Sequence, residues 1–210
     1  MTPMALQKLR EQIVGRLEPL ERGHGPVVKY GPVAEFPELF PGDPIQAAVL
    51  VGLAERAHGY SLLLTRRADT LRSHTGQIAL PGGRCDPGEA AWQTALRETE
   101  EEIGLDRRYV DLAGLGDAIL TGSGYAVTPV VGFIHPGFAL VPNPQEVAEI
   151  FETPLGFLMD PANHVEVDYE LPDGRTLSSP TMTHDDRTIW GVTARILRVL
   201  YERLYGAQAA

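Results

Sequence analysis

The chain has 210 residues, which is enough for one domain with a sizeable core and short extensions. Its formal net charge of −10 argues against a nucleic-acid groove or an anionic membrane surface as a partner, and no apolar run reaches the roughly 18 residues that a membrane-spanning helix needs. The one cysteine, Cys85, excludes an internal disulfide and is typical of a reducing compartment, so we expect a cytoplasmic protein.

The first 22 residues are predicted to form an amphipathic helix. Apolar residues recur there at intervals of three and four: Leu6, Leu9, Ile13, Leu17 and Leu20. This stripe would pack either on the domain or on a second copy of the chain in a homodimer, and the pattern leaves both open. Residues 23–44 are rich in glycine and proline and are expected to connect this helix to a main domain that covers residues 45–206.

The main domain is predicted to mix strands and helices. Strands are expected at 45–53 and 60–67, which would pair, and at 77–80, 109–115 and 127–134; a hairpin would join 165–171 to 175–178. Helices are expected at 89–102, in part of 146–158 and at 191–205. Such a mixture predicts an α/β fold in which helices cover both faces of a sheet, in α/β/α layers.

The helix predicted at 89–102 carries an acidic face. Glu98, Glu101 and Glu102 are three and four residues apart, so they share one side of the helix and repel each other. A hard divalent cation, Mg²⁺ or Mn²⁺, would relieve that repulsion, whereas the alternative is an ordinary solvated acidic surface. The opposite side is expected to be buried, and Gly104 is expected to end the helix. Its members are Ala91, Ala95, Leu96, Thr99 and Ile103.

The run from Gly83 to Leu105 resembles the Nudix box, G-x5-E-x7-R-E-U-x-E-E-x-G-U, where U is aliphatic. The matching residues are Gly83, Glu89, Arg97, Glu98, Glu101, Glu102, Gly104 and Leu105. One position departs, since Thr99 stands where an aliphatic residue is usual. The resemblance implies the Nudix sandwich, with a mixed sheet between helices, and an enzyme that hydrolyses a pyrophosphate bond.

A second stretch, LLTRRADTLRSHTGQIALPGG, resembles the signature L-L-T-x-R-[SA]-x3-R-x3-G-x3-F-P-G-G of the coenzyme A pyrophosphatase branch of that family. Leu80 replaces the usual Phe. Arginine suits phosphate because its guanidinium donates two parallel hydrogen bonds. Strand alternation places Arg66 and Arg67 on opposite faces, so their roles should differ, and His74 is an alternative to Arg66. The substrate-binding candidates are Arg66, Arg67, Arg72, Gly82 and Gly83.

The resemblance implies a mechanism in which water attacks a pyrophosphate that is bound to a metal ion. Glu98 and Glu102 are the first-choice metal ligands, and Glu101 is a ligand or a proton acceptor. Arg97 would hold Glu89 or another carboxylate of the helix by a charge-assisted hydrogen bond. Backbone carbonyls near Gly82 and Gly83 would complete the metal shell. Cys85 is expected to be a bystander. For the general base the candidates are Glu146 and Glu149, although a solvated helix start explains these two as well.

The leading hypothesis is therefore metal-dependent hydrolysis of coenzyme A or its derivatives. The products would be 3′,5′-ADP and 4′-phosphopantetheine or its acyl form. One alternative is a Nudix hydrolase of ADP-ribose or a dinucleotide, although the upstream basic signature favours coenzyme A over these substrates. Another is a binding module with the Nudix fold and no activity. Such modules typically lack carboxylates of the box, all of which are present here.

Overall fold

The centre of the fold is a mixed β-sheet built on two long parallel strands. The computed structural model describes residues 1–28, 43–68, 76–170, 174 and 176–206. Its strands are β1 (Val27–Val28), β2 (Ile45–Arg56), β3 (Gly59–Arg67), β4 (Ile78–Ala79), β5 (Gly82–Arg84), β6 (Val110–Leu115), β7 (Ala118–Leu120), β8 (Tyr125–Ile134), β9 (Val147–Pro154), β10 (Val165–Glu170), β11 (Thr176–His184) and β12 (Arg187–Ile189). Its α-helices are α1 (Pro3–Val14), α2 (Ala91–Ile103), α3 (Leu155–Leu158) and α4 (Gly191–Tyr205).

Strand β2 organises the sheet because it has neighbours on both edges. It runs parallel to β8 from Ile45 to Ala54. On its other edge it pairs antiparallel with β3 near one end and with β5 near the other. Strand β3 continues the sheet through β4 and β9, while β6 and β7 pair with β8, and β1 pairs with β7. A smaller antiparallel sheet has the order β10-β11-β12.

Alternation along β2 divides the interior into two cores. Ala48, Leu50 and Ala54 belong to the core that includes the buried side of α2. The intervening residues Val51 and Leu53 belong to the core on the opposite face. That second core also contains the apolar sides of α1 and α4. The predicted α/β/α layering is therefore confirmed, and the sheet positions α2 on one face and α4 on the other.

One predicted helix is correct only after Pro154. Residues 146–158 were expected to be partly helical because Ala and Glu favour helices, but Val147–Pro154 is strand β9, and only Leu155–Leu158 is helical. Pairing with β3 from Ser61 to Arg67 supplies backbone hydrogen bonds along the whole segment. Long-range pairing thus overrides the local preference. A short strand, β7, was not predicted, because it is only three residues long.

The N-terminal helix is shorter than the pattern in residues 1–22 predicts. It ends at Val14, because Glu18 leaves the helical path to exchange two backbone hydrogen bonds with Leu115, at 2.9 and 2.8 Å. Pro19 also disfavours helical backbone in the residue before it. Buried Leu6 and Ile13 pack against the core on the α4 side. Contact with a second copy of the chain stays a prediction, as does the division at residues 22 and 44.

Several expectations fall on residues that are not described. The connecting segment is described only up to Val28 and from Asp43, and the hairpin turn before Gly174 lies outside the described residues, as do Arg72 and His74. Among the residues that are described, no helix is long and apolar enough to cross a membrane.

Candidate active site

Helix α2 turns an apolar side to the sheet, as predicted. The residues expected on that side are all buried: Ala91, Ala95, Leu96, Thr99 and Ile103. Thr99 replaces the usual aliphatic residue without leaving a buried polar group unpaired, since its hydroxyl donates to the carbonyl of Ala95 at 2.6 Å. The helix ends at Gly104, whose φ of 68° is the left-handed conformation typical of a helix C-terminus.

A two-bond ion pair ties the loop before α2 to the helix. Arg97 Nε and Nη2 donate to the two carboxylate oxygens of Glu89, each at 3.0 Å. Glu89 also accepts from the Thr94 hydroxyl at 2.7 Å and from the Asp86 backbone N–H at 3.0 Å. The Arg97 contact and these other hydrogen bonds lower the pKa of Glu89 to about 2, against the opposing effect of burial. The contact expected between Arg97 and Glu89 is present.

Arg97 also binds the acidic side of its own helix. Its Nη1 donates to Glu98 Oε1 at 2.8 Å and to Glu101 Oε2 at 3.4 Å. The Glu98 side chain is 18% exposed and that of Glu101 is 58% exposed. Arg97 thus orients the Glu98 carboxylate in a crevice, while the Glu101 carboxylate faces solvent.

Two glycines let strand β5 approach this helix closely. A Cβ at Gly83 would lie 2.5 Å from the carboxylate carbon of Glu98, so only glycine leaves that carboxylate its place. Gly82 has a φ of 154°, and a Cβ there would collide with the Ala48 carbonyl on β2. The Pro81-Gly82-Gly83 run favours a loop, but Gly82 and Gly83 instead form part of strand β5, and they lie beside Glu102 and Glu98.

Glu102 was expected on the open face of α2, and this was wrong. It is only 5% exposed, because the loop at Gly82 and the segment at Asn143 cover it. The Gly82 N–H donates to Glu102 Oε2 at 3.2 Å. Burial raises the pKa of Glu102 to about 7, and the negative charges of Glu146 and Glu98 act in the same direction. The Gly82 N–H and the positive charge of Arg67 oppose this rise.

The donor chemistry of this cluster fits a hard divalent cation. Carboxylate oxygens are the ligands that Mg²⁺ and Mn²⁺ prefer. A bound cation would also offset the repulsion between Glu102 and the negative charges of Glu146 and Glu98. In the described part of the chain, no three His, Cys, Asp or Glu side chains are grouped so as to hold a metal. Mg²⁺ usually keeps several waters and needs only one or two carboxylates, so a cluster of three is not required. The assignment of Glu98, Glu101 and Glu102 as ligands stays a prediction.

The two arginines at the end of β3 have different surroundings. Arg66 Nε lies 3.7 Å from Glu149 Oε2, and Arg187 donates to the other oxygen of that carboxylate, Oε1, at 2.5 Å. Arg67 instead lines a cavity and is close enough to Glu102 to lower its pKa. Its Nε is buried without a hydrogen-bond partner among the described residues. Of the two, Arg67 is therefore the one placed to meet an anionic ligand beside the carboxylates.

The two base candidates also differ. Glu146 lies beside the acidic cluster, since its charge raises the pKa of Glu102, and it accepts from the Asn143 side chain at 3.1 Å. Glu149 is bound by the two arginines already named. Neither starts a helix, because β9 begins at Val147. Burial raises the pKa of the Cys85 thiol, which favours the neutral form and agrees with a bystander.

A cavity of ≈ 380 Å³ adjoins Gly82 and Gly83 on the α4 side of the sheet. It is bounded by residues from β2, β8, α4, the turn between β7 and β8 and the position before β4, including Ala47, Val49, Gln77, Thr121, Ser123, Tyr125, Val127, Val192, Thr193 and Ile196. None of these residues was predicted to be functional. They come from distant parts of the sequence and are mostly small or apolar, so no local signal marks them.

Residues 44–157 match the family described as the NUDIX domain. The chain is 40% identical, over 145 residues, to a Photorhabdus laumondii protein named "Uncharacterized Nudix hydrolase NudL"; the match covers 69% of this chain and 77% of the relative. It is 38% identical, over 160 residues, to a Yersinia pestis protein of the same name, with 76% of this chain and 79% of the relative covered.

The chain also matches solved structures. For RenU, a Nudix hydrolase from M. smegmatis, the TM-score is 0.48 with 21% identity, over 80% of this chain and 88% of that chain. For the MutT protein from Methanosarcina mazei Go1 the TM-score is 0.46 with 18% identity, over 81% and 99%.

Proposed function

The chain belongs to the Nudix family of hydrolases, and we propose that within it the protein cleaves the pyrophosphate bond of coenzyme A or its derivatives, giving 3′,5′-ADP and 4′-phosphopantetheine or its acyl form. The observation that carries the proposal is the position of Arg67. This residue of the upstream basic signature lines the cavity, influences Glu102 and has a buried Nε without a partner in the described residues. An unpaired buried donor is costly, and a phosphate oxygen of the substrate would satisfy it.

The metal-dependent chemistry needs carboxylates that can bind a cation. Glu98 and Glu102 would hold Mg²⁺ or Mn²⁺, with Glu101 as a further ligand. When bound, the metal would neutralise the pyrophosphate and lower the pKa of a coordinated water. Arg97 keeps Glu98 in the crevice by the 2.8 Å hydrogen bond, and Gly83 leaves that carboxylate room.

Among the described residues, Glu146 would accept the proton of the attacking water. It lies beside Glu102, and Asn143 orients its carboxylate. The water oxygen bonds to one phosphorus, the bond from that phosphorus to the bridging oxygen breaks, and the other phosphate leaves with the electron pair. Arg67 would bind a non-bridging phosphate oxygen and so keep the pyrophosphate in line.

A substrate panel with product identification tests the proposal. We expect kcat/KM at saturating Mg²⁺ to be higher for coenzyme A than for dephospho-coenzyme A, ADP-ribose or a dinucleotide. Excess chelator should abolish the activity. A preference for ADP-ribose would refute the substrate assignment and leave the Nudix chemistry intact, and no hydrolysis of any substrate would favour the binding module.

One pair of variants ties the activity to this site. Glu102→Gln should lose on the order of a thousandfold in rate, because a direct metal ligand is removed. It should remain folded, since the amide can still accept from the Gly82 N–H. Glu100→Gln is the matched control on the same helix, because Glu100 is half-exposed and pairs only with Arg107 among the contacts described. Equal rates for the two variants would contradict the assignment.

A further inference from the structure

The cavity beside Gly82 and Gly83 has an uneven distribution of charge. Its cationic side chains among the described residues are Arg67 and Arg84. The positive charge of Arg67 acts to lower the pKa of Glu102. Arg84 follows Gly83 in the sequence, and its backbone carbonyl accepts from Arg97 Nη2 at 3.2 Å. Arg67 therefore lies where the cavity approaches the carboxylates, and the backbone of Arg84 is bonded to their helix.

The rest of the described lining is uncharged. Val49, Val127 and Ile196 form apolar walls from β2, β8 and α4. Thr121 and Ser123 add hydroxyl groups whose oxygens are 3.1 Å apart. The Thr193 hydroxyl is already used, since it donates to the Ile78 carbonyl at 3.0 Å. This part of the cavity suits a ligand that is largely apolar and carries a few neutral hydrogen-bonding groups.

We infer that this cavity holds the pantetheine arm of the substrate and leaves the 3′-phosphoadenosine half outside it. The inference rests on the proposed function. The pantetheine arm is uncharged, with two amides and a dimethyl-substituted carbon. The other half carries a 3′-phosphate, and burying a phosphate against walls without a cation is strongly unfavourable. A volume of ≈ 380 Å³ lies within the range of small-molecule sites.

The assignment names residues that determine specificity. Val192, on the first turn of α4, is half-buried and lines the cavity, so a larger side chain there would occupy space that the arm needs. Ser123 lines the cavity from the exposed turn between β7 and β8, where a large substitution costs little stability. Neither residue belongs to the carboxylate cluster, so substitutions at these positions test how the arm is bound and not how the metal is held.

The test uses Val192→Trp and, as a second variant at an exposed position, Ser123→Trp. Val14→Trp is the matched control, because Val14 is exposed on α1 and does not line the cavity. The measurements are kcat/KM for coenzyme A and the inhibition constants of the two products, 4′-phosphopantetheine and 3′,5′-ADP. Circular dichroism and melting temperature check that each variant is folded.

We expect both cavity variants to weaken inhibition by 4′-phosphopantetheine by about tenfold or more, as for other mismatches of size in an apolar pocket. Inhibition by 3′,5′-ADP should stay unchanged, and the control should change neither. Greater weakening for 3′,5′-ADP, equal weakening for both products, or a wild type that hydrolyses coenzyme A without being inhibited by 4′-phosphopantetheine would overturn the inference. A wild type that does not hydrolyse coenzyme A would instead refute the proposed function.

Discussion

Glu98 and Glu102 are neighbours on one helix, yet their carboxylates have different surroundings. Glu98 accepts from Arg97 and remains 18% exposed, whereas Glu102 is buried against the backbone of Gly82. The difference arises because each position has its own neighbours in the β5 loop and in the segment before β9. Burial therefore disfavours the charged form of Glu102 in the protein without metal.

Gly83→Ala tests how closely the loop controls Glu98. The added Cβ would lie 2.5 Å from the carboxylate carbon, and the flexible end of the glutamate can move away. We therefore expect little change in melting temperature but a loss of about a hundredfold in kcat, because a displacement of about 1 Å in a catalytic group is enough for this. Gly156→Ala is the control, since a Cβ there meets nothing within 4 Å. An unchanged rate for Gly83→Ala would mean that catalysis does not depend on the observed position of the Glu98 carboxylate.

At the scale of elements, the Glu89–Arg97 pair fixes the loop before α2 to the helix. Backbone contacts assist, since Ala91 N–H donates to the carbonyl of Gly23 at 2.8 Å and so connects the N-terminal segment to the start of the helix. Ala90, the N-terminal cap residue, has no side chain that accepts from the helix, but its N–H donates to Gln93 Oε1 at 2.9 Å. The contacts of Arg97 with Glu89 and of Ala91 with Gly23 add to this local hydrogen bond in fixing the start of the helix.

Glu89→Gln should lower the melting temperature at pH 7, and the difference from wild type should shrink in acid. The pKa of Glu89 is lowered from 4.5 to about 2 in the folded protein, so the charged form is the stabilised one. Its contribution is present above pH 4.5 and is lost as the pH falls towards 2. The measurement is the melting temperature of both proteins between pH 7 and pH 3. Glu21→Gln, at an exposed position, is the control. A difference that stays constant over this range would show that the Arg97 pair does not stabilise the fold.

At the scale of the whole molecule, one largely buried arginine joins the last helix to two distant segments. Arg203 on α4 donates to the Arg16 carbonyl at 2.6 Å, to Asp117 between β6 and β7 at 2.6 Å, and to Glu18 at 2.5 Å. Burial raises the pKa of Asp117, and the charge of Arg203 opposes that rise. The N-terminal segment and the last helix are thereby held on the same side of the sheet.

Arg203→Ala should destabilise the protein by about 1–3 kcal/mol, because Asp117 would be left buried without its cation. The free energy of unfolding from urea titration measures this. Arg198→Ala is the control on the same helix, where the pair with Glu202 is partly exposed and should contribute less than about 1 kcal/mol. Since Arg203 does not line the cavity, kcat of the folded variant should be unchanged. Equal losses of stability for the two variants would contradict this account.

The sequence alone determined the features that depend on local spacing. The helical period placed Ala91, Ala95 and Ile103 on one side of α2, because that period follows from backbone geometry. Strand alternation predicts different surroundings for Arg66 and Arg67, and their surroundings do differ, but the register of β3 against β9 also shifts between them. Only the tertiary structure decided that residues 147–154 form a strand and that Glu102 is buried, because both depend on partners far along the chain. The cavity likewise depends on the tertiary structure. The Thr193 hydroxyl donates to the Ile78 carbonyl, 115 residues away in the sequence, and no local pattern encodes such a contact.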